Sequence, residues 1–278
     1  MLSNLIKAVR IFDDDFNYTL TDIPGLDFLD YDEEGVEVQA NTLERKGKDG
    51  VALGPSTFGP FNLVLRFTYV GTDTEDYNLM KQKLRGLLFR RDPYYIVHSD
   101  MPGKKYAVYC TENAITDVYS KYGTFEIKFV VFKGYSESLK DTLSVDFLND
   151  EWQFGNGLIT DNDISYRQNG KRFVIYNGSF DTIDPLNHKL IIRIKADAPN
   201  GFTMHNYHTN ESFTYYGTLK NHQTLTLNGV HPIIGNTRVG IDTNYDWITL
   251  APGNNNIEIE GNGLSNVSAE FEFNFIYR

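Results

Sequence analysis

Cysteine occurs once, at Cys110, so no intrachain disulfide braces the fold and burial of apolar surface has to hold it. Long hydrophobic runs are missing too: none approaches the roughly 20 residues that a membrane-spanning helix requires. Met1 opens onto LSNLIKAVRIFDDD, which has neither the apolar centre nor the small-residue cleavage site of an export signal. A soluble chain made in a reducing cytoplasm is therefore expected, with no membrane role. The Asn-x-Ser/Thr sequences at Asn17, Asn177, Asn210 and Asn266 then carry no weight as glycosylation sites. Basic charge is in deficit, with 26 Lys and Arg against 37 Asp and Glu, a net charge of −11. That balance disfavours general nucleic-acid binding, which needs a basic footprint on phosphate.

Catalytic and metal-binding signatures are also missing. There is no nucleophile elbow, Walker loop or dinucleotide fingerprint. Cys110 lies in KKYAVYC on the same strand face as Tyr106 and Val108, where a small buried hydrophobe is the expectation. His205 and His208 in MHNYH are the closest histidine pair, but positions three apart on a strand point to opposite faces, so no metal site is expected. Asp161-Asn162-Asp163 opens like a calcium loop, then places Tyr166 where the turn needs glycine and Arg172 where a bidentate glutamate belongs. Asp150 and Glu151 beside Trp152 are a carboxylate pair in a chain rich in acids, not a glycosidase signature. No enzymatic activity and no cofactor are expected.

What the chain does have is aromatic residues, 14% of the total with 18 Tyr and 19 Phe, a bias that suits a pleated half-buried surface. Period-2 alternation runs through Leu63, Leu65, Phe67 and Tyr69, and through Phe125, Ile127, Phe129 and Val131. It returns at Leu190, Ile192, Ile194 and Ala196, and at Val267, Ala269, Phe271, Phe273, Phe275 and Tyr277. Each run reads as a strand covering a core. One stretch differs: Tyr77, Met80, Leu84 and Leu87 or Leu88 repeat every three to four residues, which predicts a helix over about 74–91. Asp73 or Thr74 suits its N-terminus, and Asp92-Pro93 stops it.

The expected fold class is mostly β: an α+β N-terminal domain over residues 1–135 with one helix, a polar connecting segment over 136–170, and a C-terminal β-sandwich over 171–278. Charge is uneven along this order. Residues 1–37 hold ten acidic and two basic side chains, residues 38–135 ten acidic and fourteen basic, and residues 136–278 seventeen acidic and ten basic.

The N-terminal order is GKDGVALGPSTFGPFNLVLRF, the helical TEDYNLMKQKLRGLLF, then DPYYIVHSDMPGKKYAVYC and YGTFEIKFVVFKGYSES. This succession resembles the distal tail (Dit) proteins of long-tailed phages that infect Gram-positive bacteria, over roughly residues 1–135. The C-terminal part, ending NNNIEIEGNGLSNVSAEFEFNFIYR, resembles the galectin-like or carbohydrate-module-like sandwich that many of them carry. The resemblance implies a structural virion protein of the tail tip or baseplate, assembled in the host cytoplasm. It implies a homohexameric ring that joins the tail-tube protein to a tail-associated hub or lysin-type protein. Tape-measure, receptor-binding and baseplate proteins are the further partners implied, and DNA passes the channel without specific binding.

A ring needs two different complementary surfaces on each copy. Asp13, Asp14 and Asp15 on the acidic segment, and Lys81, Arg85, Arg90 and Arg91 on the basic body, are the candidates for that interface. A solvated face is the plainer reading of the same charges. The alternative function is a carbohydrate-binding module for host-surface adsorption, with Tyr207, Tyr215, Tyr216, Tyr245 and Trp247 as candidate carbohydrate or partner contacts. Aromatic residues in strands more often pack the core, and exposure separates the two readings.

Overall fold

The computed structural model describes residues 7–114, 122–144 and 164–278. Its contacts divide it into two compact units, Met1–Glu137 with Arg278, and Ser138–Tyr277. The strands of the first unit are β1 (Val9–Phe12), β2 (Asn17–Thr19), β3 (Leu26–Glu33), β4 (Val38–Gln39), β5 (Thr42–Glu44), β6 (Val51–Leu53), β7 (Thr57–Phe58) and β8 (Phe61–Val70). Helix α1 (Thr74–Leu88) follows, then β9 (Tyr94–His98), β10 (Lys104–Ala114) and β11 (Tyr122–Val131). The main sheet runs β2-β1-β9-β10-β11-β8-β3, antiparallel throughout. β8 and β11 stay in register for ten consecutive pairs, from Phe61↔Val131 to Val70↔Tyr122. That register puts Leu63, Leu65, Phe67 and Tyr69 on the same side as Phe125, Ile127, Phe129 and Val131, all buried.

Helix α1 closes this core with Tyr77, Met80, Leu84 and Leu88, which are buried, while Leu87 is half-buried. Full burial of such a side chain contributes about 1.5–3 kcal/mol, enough in sum to hold a helix whose other face is solvated. Asp73 caps the N-terminus, its carboxylate accepting from the Asp76 amide at 2.9 Å. The helix ends at Leu88, three residues short of the 74–91 that the spacing predicts. The Leu88 carbonyl there accepts from the Tyr94 hydroxyl at 2.9 Å instead of extending the ladder. Gly123 on β11 permits the close approach of the helix: a Cβ at this position would stand 2.3 Å from the Tyr77 hydroxyl oxygen.

His98 is buried in the same core with neither ring nitrogen hydrogen-bonded. Phe28 and Tyr31 from β3 and Tyr106 from β10 surround its ring, with centroids 4.2–5.8 Å away. The charged groups that act on it are Asp100, Lys104 and Lys7. Burial outweighs the Asp100 carboxylate and pushes the imidazole down to about 4.

After β12 (Ser136–Ser138), the second unit contains β13 (Arg167–Asn169), β14 (Arg172–Asn177), β15 (Leu190–Asp197), β16 (Phe202–Asn206), β17 (Glu211–Tyr215) and β18 (Leu225–Asn228). It continues with β19 (His231–Ile234), β20 (Thr237–Arg238), β21 (Gly253–Glu260), β22 (Ser265–Phe273) and β23 (Ile276–Tyr277). A six-stranded sheet, β13-β22-β15-β18-β19-β20, and a four-stranded sheet, β14-β21-β16-β17, form a sandwich. Ile192, Ile194, Phe271 and Phe273 from the first meet Ile175, Met204, Ile257 and Ile259 from the second in a buried core. Phe173 and Phe271 pack edge to face across the two sheets at 5.9 Å.

The expected connecting segment is not all connection. Thr142 donates to the Phe271 carbonyl at 2.6 Å and accepts from the Phe273 amide at 3.1 Å, and the Asn274 side chain donates to the Ser138 and Lys140 carbonyls. Residues 138–144 therefore belong to the second unit, and its strands begin again at Arg167 rather than Lys171. The C-terminal alternation also stops early. β22 ends at Phe273, and Phe275, Ile276 and Tyr277 are all buried in succession. Asp150, Glu151, Trp152 and Asp161-Asn162-Asp163 lie outside the described residues, as does the rest of 145–163.

Two outcomes follow from this packing. Gly123→Val should destabilise the protein by about 1–3 kcal/mol through overpacking against Tyr77, read as a lowered denaturant midpoint with unchanged slope. The His98 imidazole sits below its unfolded value near 6.5, so the unfolded chain binds the extra proton. Stability is full above pH 6.5 and should fall by about 3 kcal/mol as the pH drops through 4. His98→Phe should flatten that part of a stability–pH curve.

Candidate functional site

Asp13 closes the turn between β1 and β2. Its Oδ1 accepts from the amides of Asp15 at 2.7 Å and Phe16 at 2.9 Å, and its Oδ2 lies 3.9 Å from the Arg90 guanidinium. Arg90 in turn covers the Phe16 ring at 3.8 Å. Two interface candidates of opposite sign are thus engaged with each other inside one chain. Lys81 covers the Tyr77 ring at 4.4 Å, a use of its charge within its own helix. Asp14, Asp15, Arg85 and Arg91 are exposed, so the surface charges that a neighbour can meet are a subset of those expected.

A feature that charge and motif reading missed lies between β3 and β8. Residues 35–60 form a long hairpin arm in which β4 pairs with β7 and β5 with β6. Gly54 donates to the Asn41 carbonyl, the Asn41 side chain to Pro55, and Gly59 to Glu37, which continues the pairing between the two short ladders. The tip turns through Gly47 and Gly50, both at positive φ near 80°, a conformation open to glycine. The arm exposes large apolar side chains: Leu43 is 63% and Leu53 72% exposed, and Val38, Val51 and Phe58 are exposed too. The glycine punctuation GKDG and GPSTFGP reads locally as turns. Its legible signal is that the turns bracket short apolar pieces with no buried face to cover.

In the second unit, strand parity separates the tyrosines. Tyr215 points inward with Phe213 and is 5% exposed, packed on Phe202 at 6.1 Å. It is a core residue, which corrects the expectation of a contact residue there. Trp247 is half-buried. Tyr207, Tyr216 and Tyr245 are 59%, 63% and 70% exposed. His205 pairs with Glu260 at 3.2 Å, and His208 is exposed. Among the described residues no three His, Cys, Asp or Glu side chains gather as a metal set.

Glu258 on β21 links side chains from two neighbouring segments. It accepts from Arg172 Nε at 2.6 Å and from the Tyr207 hydroxyl at 2.8 Å, and these two bonds hold its carboxyl below the usual range. On the six-stranded sheet, a cleft of about 370 Å³ is lined by Arg167, Arg193, Lys195 and Glu270. Arg167 is 3.5 Å from Glu270 there and Arg193 2.6 Å from Glu272, so its charges are largely compensated.

Asp13→Ala should cost about 0.5–2 kcal/mol, because it leaves the two turn amides without their acceptor, whereas Asp14→Ala and Asp15→Ala should be near neutral. Thermal melts of the three variants check this.

Residues 15–131 match the family model described as a phage tail protein RIFT-related domain. No curated protein matches the chain in sequence. Among solved structures, the Dit protein of phage SPP1, described as a paradigm of the hub adsorption apparatus of phages infecting Gram-positive bacteria, aligns with a TM-score of 0.69 at 12% identity. That alignment covers 97% of this chain and 99% of SPP1 Dit. The activated baseplate of phage P2 with calcium aligns with a TM-score of 0.42 at 13% identity, over 97% of this chain and 98% of that one. The fold, mostly β with a single helix among the described residues, is the one seen in SPP1 Dit.

Proposed function

With a phage tail protein RIFT-related domain over residues 15–131 as the premise, we propose that the protein is a structural component of a phage tail tip, where it forms the distal hub of the tail. The observation that carries this reading is the fold shared with SPP1 Dit along almost the whole of both chains. The role is one of assembly, and it requires no catalytic group. Six copies form a closed ring by heterologous contacts, with the tail-tube protein on one side and a tail-associated hub protein on the other. Tape-measure and receptor-binding or baseplate proteins attach to the same hub, and DNA passes through the ring without specific contacts.

The hairpin arm supports self-assembly. It has no core of its own, it spans 26 residues, and its exposed Leu43 and Leu53 are more apolar than a solvated loop requires. Laid on a neighbouring copy, it would bury that surface and tie adjacent protomers together. The exposed Asp14 and Asp15 can then meet basic side chains such as Arg85 and Arg91 of another copy, a contact that salt would weaken.

Light scattering on the purified chain should give a mass near six times 31.8 kDa, about 190 kDa, with a ring in negative stain. Leu43→Glu with Leu53→Glu should convert it to a monomer with an unchanged melting temperature, because both side chains are exposed within one copy. A strict monomer at all concentrations would sink the ring, and an assembly indifferent to these substitutions would remove the arm from it.

A further inference from the structure

We propose that His98 is a proton-operated latch on β3: once protonated, the ring leaves its aromatic box, and β3 opens locally while the rest of the first unit stays folded. The inference does not depend on the tail-hub reading, since it rests on contacts within one unit.

β3 ends the strand order of the main sheet, and among the described residues its only ladder is to β8. That ladder is itself interrupted, because the register shifts between Phe28 and Asp30. A strand held this way leans on what its inward side chains touch. Phe28 and Tyr31 meet the His98 ring, at 5.8 and 4.2 Å. Glu33 accepts from the Tyr106 hydroxyl at 3.1 Å, and the Leu29 carbonyl accepts from Lys7 Nζ. Two of these four attachments are to one imidazole.

That imidazole is a conditional support. Neutral, it packs as an aromatic disc between Tyr31 and Tyr106, within 16° of parallel to the latter. It is 1% exposed and neither nitrogen is hydrogen-bonded. Protonated, it becomes a buried cation with two N–H donors and no acceptor, a state that folded proteins avoid. Its surroundings do not offset that charge. β1 places the apolar Val9 opposite it. Lys7, which precedes β1, and Lys104 on β10 both oppose the charged ring. Asp100, just past β9, favours it but is already paired with Lys7 at 3.1 Å, and Glu33 on β3 acts on Lys104. The Tyr31 and Tyr106 hydroxyls are pushed up by burial and stay neutral.

The side that yields is β3. Tyr106 is fully buried on β10, a strand paired with both β9 and β11, whereas Tyr31 is half-buried on a strand with one partner. The hairpin arm over residues 35–60 continues directly from β3, so opening of this strand also loosens the root of the arm.

Amide hydrogen exchange of the full-length protein, corrected for the intrinsic rate at each pH, tests the latch. Opening of Leu26–Glu33 should rise about tenfold per pH unit below 6.5 and level off near 4, because the open strand lets the ring bind its proton at the ordinary value and the closed one holds it at about 4. β11 should remain at least about tenfold better protected than β3 at each pH. His98→Phe keeps the packing and removes the proton site, and Tyr31→Ala keeps the site and uncovers it. Both should flatten the pH dependence of β3, with Tyr31→Ala open to a greater extent at neutral pH. Melting curves at pH 7 establish that each variant is folded, and where His98→Phe does not fold, Tyr31→Ala decides. The proposal is overturned if exchange of β3 in the parent chain is independent of pH, or if a folded variant keeps the parent's pH dependence. Equal protection of β3 and β11 would overturn it too, since the ring would then be uncovered only when the whole unit unfolds.

Discussion

Parity in the antiparallel ladder is the constraint on which both units depend. Because alternate side chains take opposite faces, a slip of β11 by one residue against β8 would expose Phe125 and bury Glu126. Ten consecutive pairs make that slip prohibitive. The fixed register then gives α1 an apolar bed of known shape, with Gly123 under Tyr77. It also gives the opposite face a row in which Arg66 bridges Glu126 and Asp30, both at 2.8 Å. Where the ladder does shift, at Phe28/Asp30, Cys110/Glu112 and Lys195/Asp197, the irregularities are local and parity resumes beyond them.

The same parity explains what could be read from the chain. Alternation at Leu63–Tyr69 and Phe125–Val131 identified buried faces because those strands are long and have one face in the core. The single helix is legible from its spacing, though not its end, since the last carbonyl is shared by the Arg90 amide and a tyrosine hydroxyl from β9. The arm is legible only as turns around short apolar pieces, because strands of two or three residues with exposed faces have no contrast of burial to show. Tyr215 and Tyr216 look alike in sequence, and only the position of β17 in its sheet assigns one to the core and the other to solvent. Glu258 was equally hidden, because its partners Arg172 and Tyr207 come from 86 and 51 residues away.

Each unit thus combines a rigid sheet with a surface that the sheet itself does not need. In the first it is a hairpin whose large apolar side chains stand exposed. In the second it is a polar face whose Tyr207 and Glu258 are fixed by hydrogen bonds. Preorganisation of this kind lowers the entropic cost of any contact made there.

β3 lies at one end of the main sheet's strand order, and an open strand edge invites pairing with any other extended chain. This one carries Asp27, Asp30, Asp32 and Glu33. A stray strand docking there would have to desolvate several carboxylates and would bring no compensating cation with it. The acidic opening of the sequence therefore also acts as an insulator. Such a charged edge resists edge-to-edge pairing into fibrous aggregates.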